Sequence, residues 1–532
     1  MQALRKRLLP GGDAGMEPVQ LELFASAWPT RLGIRALAVA ASAALLVAAL
    51  PAPDVGVLAF VALVPLLLVC RTLDAARSAL AGFVFGVLSS LGIYQWLLEV
   101  PAIGAPQMAV LAAYVSLYPA VWCAVLPRLQ HGRVPTWLSL PAAWVLIEAA
   151  RSHAGFLALP WATLAHTQHD NLALLQLAAV TGEAGVSFAV VMVNVALAEF
   201  FATRRARPMA AASAAIVLLH AGGAAALATT HHGPTLTIAA IQPVIPVGAR
   251  GMPEQRAAIW QRLEALTLEA ARAQPAAIVW PETAVPDPLL ADELMQRLTT
   301  LSQRAGAALV VGAAQVEKFA TRTADGAMTM RSSETHNAAH LVLPAGAAPI
   351  EPYRKRRLVP FAEYVPLAGL VTWPAWLVAP VPSGLRAGPG VPPRWALPDG
   401  TRIAALICWE NLFAGLARTA VRDGAQLLVQ LTNDAWFGRS AAARQHNLAS
   451  VLRAVENRVP IVVASNAGPA LIVDANGRVL DEALAWQPAV VIAPVALHAG
   501  GSLFTRTGGW WVTVALVSIV CAGVRRKAAS PD

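Results

Sequence analysis

Lysine is almost missing from this chain. Lysine and arginine together number 40 among 532 residues, yet lysine stands only at Lys6, Lys318, Lys355 and Lys527. Charge of either sign is scarce, at 13%, against 57% hydrophobic residues, a balance that excludes an ordinary soluble domain as the whole chain. The net charge of +9 does not point to nucleic acid, because the basic residues gather on no face with interleaved aromatics. Cysteine occurs four times, and Cys70, Cys123 and Cys521 fall in or beside apolar runs as small buried hydrophobes, so a disulfide framework is excluded. His166 and His169 lack a third ligand nearby, so no metal and no cofactor are expected. Repeats and low-complexity blocks are absent, and residues 1–31 read as a polar tail before an anchor rather than a cleavable signal.

What the chain has in quantity is apolar length. Runs at 32–50, 55–69, 79–98, 108–126, 137–150, 185–201, 209–228 and 510–524 each approach the roughly 20 residues a spanning helix needs, so about eight spans are expected. Arginine and lysine mark every second connection: Arg5, Lys6, Arg7 and Arg31, then Arg71 and Arg77, Arg128 and Arg133, Arg204, Arg205 and Arg207, and finally Arg525, Arg526 and Lys527. By the positive-inside rule both termini are cytoplasmic and the long segment before the last run lies outside. The expected organisation is a cytoplasmic tail at 1–31, a seven-helix membrane domain at 32–228, an external domain at 229–507, a final span at 508–524 and a second tail at 525–532. His231 and His232 read as linker.

The external segment alternates short β-rich runs such as "TLTIAAIQ", "AAIVWPE", "RIAALICWE" and "QLLVQLTN" with helical patterns near 253–273, 288–304, 412–422 and 444–458. That is an α/β domain large enough to bury its own core. "DANG" between two strand-like runs reads as a hairpin turn.

Three places in it carry chemistry. Cys408 ends the strand of "RIAALICWEN" and is followed directly by a helical pattern, where nearby amides can lower a thiol pKa and bind an oxyanion. Glu282 ends "AAIVWPE", where a carboxylate brought beside a thiol can act as general base. Lys355 lies in "EPYRKRRLVPFAEYVP", a proline-bearing loop able to bend over a site, or else a surface basic cluster. "LAGLVTWPAWLVAPVP", residues 367–382, reads either as a lid dipping into the membrane interface or as a loop packed on its own domain. Glu148 near the outer end of the fifth run reads as a helix pair with Arg151 or as a functional intramembrane carboxylate.

At these places the chain resembles the nitrilase superfamily, and its whole length resembles the bacterial apolipoprotein N-acyltransferase family. The resemblance rests on "WPET" with Glu282, "YRKRRLVPFAEYVP" with Lys355 and Glu363, "ICWEN" with Cys408, "NDAWFG" from Asn433 and "RAVENRVP" from Arg453, together with "ALPWATLAHTQ" and "LLQLAAVTGEAGVSFAVVMVNVALA" upstream. It implies a polytopic helical membrane domain plus an external αββα sandwich, a catalytic triad of Glu282, Lys355 and Cys408, and Glu363 and Glu410 as supporting carboxylates. It implies acyl transfer from a phospholipid, through a Cys408 thioester, to the N-terminal amine of a diacylglyceryl apolipoprotein. Lys355 and the backbone N–H of Trp409 would hold the oxyanion, and the setting would be a bacterial inner membrane with the catalytic domain in the periplasm. Val244 and Gly251 depart from the family's frequent Asn and Trp, and Trp409 stands where Tyr is frequent, so no role passes to Val244, Gly251 or Trp260. A membrane-anchored amidase would use the same triad with water as second nucleophile; a run of seven spans before the domain favours acyl transfer.

Overall fold

The structure is a computed structural model that describes residues 32–101, 103–229, 233–286, 292–322, 328–344, 350–378, 384–497 and 501–524. Both expected tails, the His231–His232 linker and residues 379–382 of the expected lid lie outside the described residues.

Among the described residues, four helices are long and apolar enough to cross a membrane: Ala75–Ile93, Ala105–Gln130, Glu183–Thr203 and Ala206–Ala228. The other expected spans are helical but shorter. Leu32–Ala48 and Thr136–Ser152 have 17 residues each and Trp510–Val524 has 15. The second apolar run is broken, with a 3-10 turn Gly56–Phe60 followed by a seven-residue helix Val64–Cys70. Helix length therefore does not carry the expected count of eight crossings. The break frees backbone groups that an apolar setting cannot leave unpaired. Asn194, fully buried on the helix Glu183–Thr203, accepts from Leu63 N at 2.8 Å and donates to Ala59 O at 2.8 Å, and Ser42 Oγ accepts from Leu66 N at 2.9 Å. Glu148 and Arg151 do not close on each other. Glu148 Oε1 accepts from Leu164 N and Arg151 donates to Trp161 O, so both hold the loop that follows their helix.

Among the described residues, the segment after these first helices builds two six-stranded sheets. In chain order the strands are β1 (Thr235–Gln242), β2 (Ala277–Val279), β3 (Ala308–Arg322), β4 (Met328–Val342), β5 (Tyr353–Arg354), β6 (Trp395–Ala396), β7 (Arg402–Ile407), β8 (Leu427–Thr432), β9 (Ile461–Ser465), β10 (Leu471–Val473), β11 (Val479–Glu482) and β12 (Ala489–Ala496). The first sheet runs β12-β1-β2-β3-β4-β5 and the second β11-β10-β9-β8-β7-β6. Central strands pair in parallel, β1 with β2, β2 with β3, β7 with β8 and β8 with β9.

Strand periodicity decides how the layers stack. Ile238 and Ala240 of β1 face the core shared with Ala405 and Ile407 of β7 and Val429 and Leu431 of β8. Their neighbours Ala239 and Ile241 face the opposite way, against Ile259, Leu263 and Leu301 from helices Pro253–Ala271 and Asp292–Ala305. Leu406 and Leu428 on the far side of the second sheet meet Ala417, Leu452 and Val455 from helices Ala414–Arg422 and Ala442–Asn457. The result is a four-layer αββα sandwich in which each buried Val, Leu or Ile contributes about 1.5–3 kcal/mol. The outermost helix layer is itself covered, because Leu174, Leu175, Val186 and Ala189 from the apolar half join the same cluster. The expected turn after β10 is present at Asp474–Gly477, where Gly477 takes φ +90° and a Cβ would press to 2.7 Å from Val455.

Candidate active site

The site is assembled by strand ends. β7 stops at Ile407, a 3-10 turn Cys408–Leu412 follows, and Cys408 itself sits at φ +54°. A side chain in that region costs on the order of 1–3 kcal/mol and persists only where its surroundings enforce it. Here the enforcement is visible. Gln430 on β8 donates to Cys408 O, and Glu410 Oε2 accepts from Ile407 N at 2.8 Å, pinning both sides of the turn.

Glu282 follows β2 through Trp280 and Pro281, and the next residue, Thr283, is also left-handed at φ +46°. Trp280 is fully buried and donates to Thr267 Oγ1, which anchors the strand end. Gly312 on β3 admits the turn, since a Cβ there would lie 2.2 Å from Pro281 O. Lys355 lies just past β5, its N–H donating to Asn337 O at 2.8 Å. It is 1% exposed and Glu282 is 6% exposed.

Lys355 Nζ donates to Glu363 Oε1 at 2.9 Å and to Glu282 Oε1 at 3.4 Å. Glu363 is held in turn by Val359 N at 2.7 Å. Burial works against the Lys355 charge, but Cys408, Glu363 and Glu282 together outweigh it and hold the ammonium well above its usual pKa. Burial, and then the Glu282 charge, push the Cys408 thiol well up, while Lys355 pulls it down and Glu363 and Asp434 add to the rise. That rise favours the protonated thiol, so the nucleophile calls for a base to take its proton.

Glu410 is fully buried and does a different job. Its carboxylate accepts from Tyr353 OH at 2.8 Å, Arg356 N at 2.7 Å and Arg357 N at 3.0 Å, besides Ile407 N. It therefore ties the Lys355 loop, which leaves the first sheet, to the Cys408 turn, which leaves the second. Burial raises its pKa against those four donors. Trp409 donates to Arg357 O at 2.6 Å and meets Phe413 edge-on at 5.1 Å, closing the same loop from outside.

The structure thus brings Glu282, Lys355 and Glu363 into hydrogen-bond reach and sets Cys408 in their field, with Glu410 and Trp409 behind. Two neighbours were missed in the sequence. Asn337 on β4 donates to Glu282 Oε1 at 2.6 Å and to Glu363 Oε1 at 3.3 Å, so it bridges both carboxylates that face the lysine. Its only signal is a polar residue inside the strand-like run "HNAAHLVLP". Arg250 donates to Thr283 Oγ1 at 2.8 Å; burial lowers its pKa to about 10, with the Glu282 charge opposing. Val244 occupies φ +54°, a conformation that Asn adopts readily and a β-branched residue does not. Of the expected lid, Trp373 packs edge-on against Phe361 at 5.1 Å and Phe156 at 6.4 Å, and Gln107 donates to Trp376 O, while Leu370 is 84% exposed. This segment lies on its own domain and on the apolar half together.

A fold of two sheets between helix layers, with a cysteine, a glutamate and a lysine at strand ends, defines the nitrilase-like class, and the carbon-nitrogen hydrolase family matches residues 237–503. The apolipoprotein N-acyltransferase N-terminal domain family matches residues 42–196. Apolipoprotein N-acyltransferase of Geobacter metallireducens is 34% identical over 514 residues, covering 91% of this chain and 94% of the relative, and that of Chlorobaculum tepidum is 28% identical, covering 89% and 91%. The chain belongs to the apolipoprotein N-acyltransferase family. Among solved structures, Saccharomyces cerevisiae Nit3 is similar at 17% identity and a TM-score of 0.37, covering 50% of this chain and 91% of that one.

Proposed function

We infer that the protein is an apolipoprotein N-acyltransferase that moves a fatty acyl chain from a membrane phospholipid to the α-amine of a diacylglyceryl-cysteine at the N-terminus of a lipoprotein. One observation carries the reading. Residues that directly follow Cys408 and Lys355, namely Trp409, Arg356 and Arg357, line a cavity whose wall also includes Phe156 from the loop after helix Thr136–Ser152, so the edge of the candidate site meets the seam with the apolar helices. A hydrolase of soluble amides has no use for that placement.

Glu282 takes the Cys408 proton as the sulfur attacks an ester carbonyl of the lipid. Lys355 Nζ and the N–H of Trp409 receive the oxyanion, where one donor is worth about 3–4 kcal/mol of barrier. Collapse breaks the C–O bond, Glu282 returns the proton to the leaving lysophospholipid alkoxide, and a thioester remains on Cys408. The lipoprotein amine then attacks the thioester carbonyl, loses its proton to Glu282, and departs as an amide while the thiol is restored. Asn337 and Glu363 keep Glu282 and Lys355 oriented through both halves.

The charge pattern supports cytoplasmic termini, an inner-membrane location and a periplasmic site. A periplasmic reporter fused after His232 is active and one fused after Arg207 inactive in that orientation; the reverse would move the chemistry to the other face. Function is tested by incubating purified protein with phospholipid and a diacylglyceryl peptide and following both products by mass spectrometry. Equal amounts of lysophospholipid and N-acylated peptide are expected. Free fatty acid with unmodified peptide would instead make the protein a hydrolase.

A further inference from the structure

β1 and β2 run in parallel, so the turns that leave their carboxyl ends lie side by side, and they carry Arg250 and Glu282. The segment leading to Arg250 is held in place from two elements. Ile245 N donates to Asn466 Oδ1 at 2.9 Å, Asn466 Nδ2 donates back to Ile245 O at 2.7 Å, and Arg262 Nη1 donates to Val244 O at 3.1 Å. Gly248 then bends the chain at φ +87°, and the 3-10 turn Ala249–Gly251 follows. From that turn Arg250 Nη1 donates to Thr283 Oγ1, on the residue directly after Glu282, at 2.8 Å. The bond occupies one guanidinium nitrogen of three. Nε and Nη2 are closed off from solvent and have no hydrogen-bond partner among the described residues. A tether alone does not call for this, because a neutral amide could serve Thr283 as well and a buried cation left unpaired is unfavourable. What opposes that burial is the charge of Glu282.

We propose that Arg250 is a positioning residue that acts through Glu282, keeping this base ionised between proton transfers and sending the proton it takes from Cys408 onward to the leaving lysophospholipid oxygen. The inference rests on the acyltransferase reading above and adds a residue to its proton path. The charged and titratable groups around Glu282 come from three other elements. Lys355 reaches it from the loop after β5, Glu363 shares Asn337 with it from the same loop, and the Cys408 thiol feels its charge from the turn after β7. Arg250 adds a second cation from the turn after β1. The two cations differ in what else they answer to. Lys355 is supported by Cys408 and Glu363 as well as Glu282, and in the reaction it turns to the oxyanion. The charge of Arg250 is supported by Glu282 alone among the described residues. When Glu282 takes the proton as the Cys408 S–H bond breaks, it turns neutral and that support is lost, which makes the protonated carboxyl a readier acid. The proton then passes to the alkoxide oxygen as the ester C–O bond breaks, an O–H bond forms on the lysophospholipid, and Glu282 is again ionised beside Arg250.

The test follows the initial rate of Cys408 acylation by phosphatidylglycerol in detergent micelles, read by intact mass from about pH 5 to about pH 9 without any amine. Glu282 acts only when ionised, so the rate falls on the acid side. Removing a cation from beside a carboxylate lets it protonate at higher pH, so in Arg250→Gln the midpoint of the acid limb is expected to rise by about one pH unit, which is about tenfold in rate on that limb. Gln still offers a donor to Thr283 Oγ1, so a mere tether would leave the midpoint in place. Arg250→Lys keeps the charge and is expected to hold the midpoint within a few tenths of a unit of wild type. An unmoved midpoint in Arg250→Gln, a rate lowered equally at every pH, or a shift in Arg250→Lys as large as that in Arg250→Gln would overturn the assignment. Should Arg250→Gln fail to fold, Arg250→Lys decides alone, a wild-type midpoint supporting the assignment and a raised one overturning it. Absence of an adduct from wild type at every pH would sink the acyltransferase reading itself, and this inference with it.

Discussion

Among the described residues, one buried ionic cluster surrounds a lysine and another surrounds an arginine, and they are built for opposite purposes. Arg453 on the helix Ala442–Asn457 is fully buried; its Nη1 donates to Leu412 O at 3.1 Å, its Nη2 donates to Glu183 Oε2 and Glu456 Oε1 at 3.0 Å each, and its Nε lies 2.8 Å from Glu456 Oε2. Glu183 opens a long apolar helix, and its N–H donates to Glu456 Oε1 at 3.0 Å, so this cluster rivets the sandwich to the membrane half. Lys355 is as deeply buried but donates to two carboxylates, Glu363 and Glu282, with Cys408 in its field. A compact ammonium leaves room for a third acceptor that arrives with the substrate; a guanidinium would fill that room. That difference explains why a chain so committed to arginine keeps a lysine at 355.

The largest expected effect exchanges the two chemistries. Lys355→Arg should insert and fold yet lose at least about a hundredfold in acyl transfer, because misplacement of about 1 Å already costs that much. Arg354→Lys, outside the cluster, should stay within a few-fold at equal expression. Should Lys355→Arg keep more than a minor fraction of turnover, the comparison fails.

Breaking the rivet should act on stability instead. Arg453→Met leaves Glu456, whose pKa burial already pushes up to about 7 against Arg453 with Glu183 adding to the rise, without its partner. A loss of about 3–5 kcal/mol is expected, read as a lower unfolding temperature in detergent and poor recovery of folded protein. Unchanged thermal stability would show that the cluster carries no load.

Glu282→Gln sharpens the lysine side. It removes a negative charge that raises the Cys408 pKa and leaves Lys355, which lowers it, so the thiolate fraction near neutral pH should grow. Alkylation of Cys408 by iodoacetamide should therefore speed up several-fold at pH 7–8 while acyl transfer is lost. Slower alkylation would mean that Glu282 is not the charge that holds the thiol neutral. The smallest effect lies away from both clusters. Val244→Asn should raise stability by about 0.5–1 kcal/mol, relieving the left-handed Val, as measured by thermal unfolding with activity unchanged.

Much of this was written locally. The β-rich runs "TLTIAAIQ" and "RIAALICWE" announced strands, and "DANG" announced its turn. Glu282, Lys355 and Cys408 were readable because each ends a strand-like run or sits in a proline-bearing loop. Contacts across long sequence gaps were not readable. Asn337 reaches Glu282 from 55 residues away, and nothing in a strand's own pattern says which polar residue faces another strand's end. Glu410 looked like one carboxylate among several near the thiol, but its four donors make it the clamp between the sheets. The helix Ala442–Asn457 was readable as a helical pattern, but its setting was not: Gln445, His446, Asn447, Arg453 and Glu456 are all buried because the apolar half covers it. The broken second span was hidden for a similar reason, since apolar length alone does not disclose that Asn194 and Ser42 would accept its frayed backbone.

The central claim is that Cys408 carries the acyl group, and the most direct measurement is intact mass after incubation with phospholipid alone. The account predicts one acyl-chain mass added to wild type without any amine present, removed by hydroxylamine, and absent from Cys408→Ala. No adduct on wild type, or the same adduct on Cys408→Ala, would contradict it.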